Sequence, residues 1–130
     1  MEFSSRIFVS GHNGVVGSAL VRKLKTAGYY NLVVANRSQL DLTEIGNVET
    51  FFKTHSPEYV FHCAAKVGGI FLNKSKPGEF IRDNLLMQAN VIHSASQNGT
   101  KKLCFLGSAS CYPKDAPSPI NENAFMTGPL

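Results

Sequence analysis

Arg6-Ile-Phe-Val-Ser10, followed at once by Gly11-His-Asn-Gly14-Val-Val-Gly17, is the stretch from which the fold can be read. A short apolar run stops at a glycine, three glycines recur at spacings of three, and a helical pattern opens. After Gly14 the apolar residues fall at Val16, Ala19, Leu20, Leu24 and Ala27, one face of a helix that Gly28 ends. Each glycine has a task in such a turn. Gly11 permits the tight bend, Gly14 lets backbone approach a pyrophosphate, and Gly17 allows close packing of the helix. The helix N-terminus then offers unpaired N–H groups and a positive dipole end to the anion. The whole turn, Gly11, His12, Asn13, Gly14, Val15, Val16 and Gly17, is therefore a candidate dinucleotide-binding segment.

Downstream, strand-like and helix-like segments alternate. Strands are expected at Asn31–Ala35, Glu58–Ala64 and Lys102–Leu106. Helices are expected before Pro57, with Asp41 and Thr43 as caps, and over Pro77–Gln97, with Pro in the first turn and Asn98-Gly99 beyond the end. The strands are nearly continuously apolar, as when both faces are covered. The order β-α-β-α-β-α-β predicts an α/β protein with a parallel, doubly wound sheet of the NAD(P)-binding Rossmann type, truncated after four strands. Residues 1–112 are read as a partial dinucleotide-binding domain and 113–130 as a proline-rich loop tail. On the long helix, Phe80, Met87, Val91 and Ala95 form one apolar strip, and Ile81, Leu85 and Ile92 form a second. The double strip is wider than packing on a sheet requires and predicts a partner subunit there. Asn84, in its midst, is a candidate for holding backbone near the site.

The second candidate element is the end of the second strand. An NAD site places a carboxylate there, about 20 residues past the glycine turn. This chain has Val34-Ala35-Asn36-Arg37-Ser38 instead. A guanidinium can pair with a 2′-phosphate, so Arg37 points to NADP(H) over NAD. Asp41 and Leu42 follow, Asp41 either as a cap or as an acceptor for the adenine amino group. The third element is the pair of turns after strands three and four, Cys63-Ala-Ala-Lys-Val-Gly-Gly69 and Leu106-Gly-Ser-Ala-Ser-Cys-Tyr112. Ala64, Ala65, Lys66, Leu106, Gly107, Ser108 and Ala109 are expected to line the nicotinamide half. His62, inside an apolar strand, reads as core, and His12 as a local hydrogen-bonding residue.

Composition sets bounds on this reading. The 130 residues are 43% hydrophobic and 17% charged, and 13 Lys+Arg against 9 Asp+Glu give a formal charge of +4. That is an ordinary globular balance, and a mild positive field suits a phosphorylated ligand. The basic residues are scattered and carry no nucleic-acid motif. No apolar run reaches the roughly 18–20 residues of a membrane span. The short polar start lacks the pattern of a signal peptide, so a cytoplasmic protein is expected. Cys63, Cys104 and Cys111 have neither disulfide nor zinc spacing, and no metal site is expected. Beside apolar runs, such cysteines ordinarily act as small hydrophobes.

Taken together, Gly11-His-Asn-Gly-Val-Val-Gly-Ser-Ala19, Ala64-Ala-Lys-Val-Gly-Gly-Ile70, Asn90-Val-Ile-His-Ser-Ala95, Leu106-Gly-Ser and Tyr112-Pro-Lys resemble an extended short-chain dehydrogenase/reductase, and within it the GDP-L-fucose synthase family. The resemblance spans the whole chain but about two-fifths of such an enzyme. It implies NADP(H) and a GDP-4-keto-6-deoxymannose substrate, and the second apolar strip of the 77–97 helix points to a homodimer through that helix. The family reaction inverts two centres beside a keto group and then reduces that group. By resemblance, Ser108 is the catalytic serine that hydrogen-bonds the keto oxygen, and Arg37 reads the 2′-phosphate. Ser110 stands where the family carries an acid/base cysteine, with Cys111 displaced by one. A serine hydroxyl lies far from the useful pKa range, which weakens the expectation of epimerisation. The usual basic residue of the phosphate turn is replaced by Asn13. The family's Tyr-x-x-x-Lys pair does not occur among these residues, and Tyr112 and Lys114 lack its spacing. The residues alone are therefore expected to be inactive. A binding or association module, or part of another nucleotide-sugar epimerase or dehydratase, are the other readings.

Overall fold

The computed structural model describes residues 1–129. Among them, four strands and four helices follow in order: β1 (Ile7–Ser10), α1 (Val15–Thr26), β2 (Leu32–Val33), α2 (Ile45–His55), β3 (Tyr59–His62), α3 (Ile70–Ser75), α4 (Pro77–Gln97) and β4 (Lys102–Phe105). The sheet is wholly parallel, with order β2-β1-β3-β4. Parallel neighbours need crossover connections, and the helices supply them. β1 lies between β2 and β3, so the direction of winding reverses there. The crevice at the carboxyl ends of the strands opens at that reversal.

Alternation along β1 divides the core in two. Ile7 and Val9 face α1 and pack with Leu24, Leu20 and Val21. Phe8 faces the other way, with Val60, into a cluster with Val48 and Phe52 of α2 and Val91 and Ala95 of α4. Phe8 lies 4.8 Å from Phe51 and 5.8 Å from Phe52 between ring centroids, within the range of favourable tilted aromatic pairs. Each such buried side chain contributes about 1.5–3 kcal/mol of transfer free energy.

Several sequence expectations are corrected. β2 is paired over Leu32–Val33 rather than Asn31–Ala35. It has one neighbour, and Val34 is exposed. β3 and β4 likewise end short of Ala64 and Leu106, where the chain turns away from the sheet. β3 pairs directly with β1, the slot of a fourth strand in the six-stranded order. Buried Leu40 and Leu42 run past β2 without forming a paired strand. Asp41 and Thr43 do not cap α2, whose N-cap position is Glu44 with no side-chain cap bond. Asp41 instead closes the preceding turn, accepting from the Thr43 N–H at 2.9 Å and hydroxyl at 2.7 Å. The short helix α3 is not apparent from the sequence. β4 does not have both faces covered, because Lys102, Cys104 and Phe105 are exposed. Cys104 is therefore not a buried hydrophobe.

Helix α4 keeps the expected bounds. Its first strip is the inward one, with Val91 and Ala95 in the core and Met87 packed against it. Ile81, Leu85 and Ile92 are exposed, at 61%, 57% and 48%. No helix among the described residues is long and apolar enough to cross a membrane. Beyond β4 come a 3-10 turn at Ala109–Cys111 and a tail whose own 3-10 turn spans Glu122–Ala124. The tail is tied back on itself by Lys114 N–H donating to the Pro129 carbonyl at 3.2 Å.

Candidate functional site

A cleft of about 380 Å³ opens over the carboxyl ends of β1, β2 and β3. That is within the usual span of small-molecule sites. Its floor is Phe8 and Ser10, one wall the Gly11–Gly14 turn, another Ala35–Arg37 with Leu40–Thr43, and the third Cys63–Lys66 with Asp83 and Met87 of α4. Thus Gly11, His12, Asn13, Gly14, Arg37, Asp41, Leu42, Ala64, Ala65 and Lys66 converge from three separate segments.

The glycine turn is shaped by close backbone approach. Gly11 has φ +68°, and a Cβ there would lie 2.7 Å from the Ala64 nitrogen. A Cβ on Gly17 would lie 2.7 Å from the Gly11 carbonyl carbon and 2.9 Å from the His12 Cα. Gly17 thus admits α1 against the turn itself rather than against the strand. No side chain caps the start of α1. Its opening N–H groups lack intrahelical acceptors, as at any helix start. The Val15 and Val16 side chains point to solvent and do not line the cleft. The His12 ring makes no hydrogen bond among the described residues, against the local role expected of it.

Beneath the turn lies a buried polar pair. Ser10 Oγ and His62 Nδ1 are 2.8 Å apart, and the Ala64 N–H donates to Ser10 Oγ at 3.3 Å. Burial pushes the His62 pKa down to about 4, so the ring is neutral near pH 7. Its Nε2 has no hydrogen-bond partner among the described residues. His62 is a core residue, as its strand position predicts, and stacks on Phe105 at 5.7 Å.

At the β2 end, the Arg37 Nε lies 3.9 Å from Asp41 Oδ2. The Thr43 hydroxyl, then the Thr43 N–H, holds the Asp41 carboxyl below its usual pKa, and Arg37 adds to this. At the third wall, Asn84 grips the Lys66 backbone from both sides. Its Oδ1 accepts from the Lys66 N–H at 2.8 Å, and its Nδ2 donates to the Lys66 carbonyl at 2.9 Å. Asn84 therefore holds the loop that lines the cleft, the role its position suggested. The Lys66 ammonium turns to α4, 2.6 Å from Asp83 Oδ2 and 3.4 Å from Glu79 Oε2. The Asp83 bond keeps Lys66 protonated well above its usual range. Asp83 also takes Arg82, and both partners lower its pKa.

Leu106, Gly107, Ser108 and Ala109 are not brought to this cleft. Ser108 caps the following 3-10 turn, its Oγ accepting from the Ser110 N–H at 3.1 Å. The Cys111 thiol donates to the Ser108 carbonyl at 2.8 Å. Asn36, Thr43, Asp83 and Met87 also line the cleft, a place the sequence did not assign them. The i+4 spacing of Asp83 and Met87 on one helix face was the signal available for them. No group of three metal-ligating side chains occurs among the described residues.

Residues 7–130 match the model of the NAD dependent epimerase/dehydratase family. The chain belongs to that family. Its parallel α/β fold is the Rossmann-like, NAD(P)-binding kind that the family's structures share. The GDP-L-fucose synthase 1 of Arabidopsis thaliana is 54% identical over 127 residues, covering 98% of this chain and 39% of the relative. The GDP-L-fucose synthase of Escherichia coli (strain K12) is 42% identical over 125 residues, covering 96% and 39%. Among solved structures, the NADP-bound GDP-mannoheptose C4 reductase of Campylobacter jejuni superposes with a TM-score of 0.93 at 42% identity, covering 100% of this chain and 41% of that one. The chain thus spans about 40% of the length of the relatives it matches.

Proposed function

We propose that these residues form the NADP(H)-binding N-terminal part of a cytoplasmic GDP-L-fucose synthase, the nucleotide-sugar epimerase and reductase acting on GDP-4-keto-6-deoxymannose. The observation that carries this reading is the convergence of the Gly11–Gly14 turn and Arg37 on one cleft with no carboxylate in Arg37's place. Asp41 lies across the cleft wall but is already engaged by Thr43 and Arg37. The glycine turn fits a pyrophosphate, since the α1 start has no side-chain cap and leaves its first N–H groups to an anion, while Gly11 and Gly17 let the turn pack tightly beneath it. Gly11, His12, Asn13, Gly14 and the Val15–Gly17 backbone would hold the pyrophosphate, Arg37 the 2′-phosphate, and Asp41 and Leu42 the adenine. Ala64, Ala65 and Lys66 would line the nicotinamide side, and the segment from Leu106 through Ala109, outside the cleft, would border the substrate. The cofactor, when bound, supplies hydride for reduction of a keto carbon.

Ser108 is suited to polarising that carbonyl. Its Oγ accepts from Ser110, which leaves its own O–H free to donate to an oxygen. Ser110, at the position of the family's acid/base cysteine, has no comparable proton-transfer capacity, and the Cys111 thiol is turned onto backbone. Reduction is thus better supported than epimerisation. A second copy of the chain is the proposed occupant of the Ile81, Leu85 and Ile92 strip.

Titration with NADPH, followed by cofactor fluorescence, tests the binding claim. Saturable binding that prefers NADPH to NADH is expected, with no turnover of the keto sugar by these residues alone, which contain no Tyr-x-x-x-Lys pair. Absence of NADPH binding by a folded chain refutes the reading. Size-exclusion chromatography tests the dimer, and a monomer at all concentrations rejects it.

A further inference from the structure

The turn that carries Arg37 is fastened by side chains on both of its ends. Asn36 Oδ1 accepts from the Gln39 N–H at 3.1 Å and from the Ser38 hydroxyl at 2.7 Å. In return, Gln39 Oε1 accepts from the Asn36 N–H at 3.0 Å. This is the reciprocal arrangement of a capping box, closed over one helical turn. The Asn36 carbonyl adds two more bonds, from the Gln39 and Leu40 N–H groups at 3.1 and 2.9 Å. Leu40, next in the chain, is 5% exposed and anchors the turn in the core. Arg37 sits between the two fastened residues. Arg37 and Asn36 line the cleft, whereas Gln39 does not.

We infer that Asn36 and Gln39 are positioning residues for dinucleotide selectivity: their mutual box holds the turn so that the Arg37 guanidinium meets the 2′-phosphate. The inference rests on the NADP(H) reading above and deepens it. The physical reason is entropic. Arg37 is largely exposed, and its long side chain is held only by a 3.9 Å approach to Asp41. A forked contact to phosphate is strong only when the backbone beneath it is fixed. Gln39 has no place in the cleft wall, so any effect of its removal on the ligand passes through the turn.

The test compares NADPH and NADH affinity by fluorescence titration for the unsubstituted chain and for Asn36→Ala, Gln39→Ala and Asn36→Ser. Circular dichroism verifies that each retains the fold. Removing either half of the box is expected to weaken NADPH about fivefold, the usual scale of a lost cap, and to leave NADH within about twofold. Asn36→Ser keeps a neutral cap acceptor and restores most of the NADPH preference. Gln39→Glu keeps the Oε acceptor and serves the same purpose should Asn36→Ala unfold the turn. A chain that prefers NADPH by the same ratio in every variant overturns the inference and leaves the cofactor reading standing. Equal weakening of both dinucleotides also overturns it. A folded, unsubstituted chain that binds no NADPH overturns both.

Discussion

At β1 the side chains of Ile7, Phe8 and Val9 are sealed between helices on both faces, whereas at β4 all but Leu103 of the strand is open to solvent. The same contrast holds for the loops these strands feed. The turns after β1 and β3 are pressed together, Gly11 against Ala64, and share one cleft with the turn after β2. The turn after β4 stays apart, and Ser108 caps its own next turn. The dinucleotide half of the site is thus built by packing among the present elements. The β4 turn, which carries Ser108, does not face that cleft.

The most damaging change is expected where packing is tightest. Gly11→Val places a branched side chain at φ +68° and directly against the backbone of Cys63 and Ala64. Strain and overpacking together should cost about 3–4 kcal/mol and abolish NADPH binding. Urea unfolding with NADPH titration measures both. A stable, binding-competent variant would show that the β1–β3 contact does not shape the site.

Acid probes the polar floor of the same region. His62 has a pKa of about 4 in the fold against 6.5 when unperturbed, because burial disfavours its charged form. Between those values the unfolded chain binds a proton that the folded chain does not. Its contribution to stability is therefore full above about pH 6.5 and is lost as pH falls toward 4. The linked loss is about 3 kcal/mol, since stability falls by roughly 1.4 kcal/mol for each pH step across that window. His62→Leu should flatten the acid limb of stability between pH 6.5 and 4, measured by denaturant midpoints at a series of pH values. An unchanged slope places the acid sensitivity elsewhere.

These two regions were also unequally legible in the sequence. The glycine turn, α1 and the bounds of α4 follow from local rules, because glycine spacing, helical periodicity and Pro77 act within a few residues. The burial of His62 was readable from its place in an apolar strand. The Ser10 partnership was not, since the two lie 52 residues apart and depend on the β1–β3 register. Nor was the single-neighbour brevity of β2, which depends on strand order. The Asn36–Gln39 box has a sequence signature, but it lay in what reads as a strand end and loop. Exposure of Cys104 and Phe105 was missed because an apolar strand promises two covered faces, a promise that only further elements of a fold can keep.

A smaller, charge-specific effect separates the β2 turn from the glycine turn. Arg37→Ala should weaken NADPH about thirtyfold, the scale of one charge-assisted contact, and leave NADH nearly unchanged. Raising salt from low to physiological strength should narrow the preference of the unsubstituted chain, because the group is exposed and screened. Isothermal titration with both dinucleotides decides the matter. Equal losses for the two would assign Arg37 to the shape of the cleft rather than to the 2′-phosphate.

The smallest effect is expected at the residue that matters most to the proposed chemistry. Ser108 is exposed, lies outside the cleft and supplies one side-chain cap to a three-residue turn. Its replacement by Ala removes a cap that water can largely replace. Stability should change by less than about 1 kcal/mol, and NADPH affinity by less than about twofold. This insensitivity distinguishes a reactive group held in readiness from one that builds the binding site. A tenfold loss of NADPH affinity in Ser108→Ala would show that the β4 turn already belongs to the dinucleotide cleft, and the division between the two halves of the sheet would have to be redrawn.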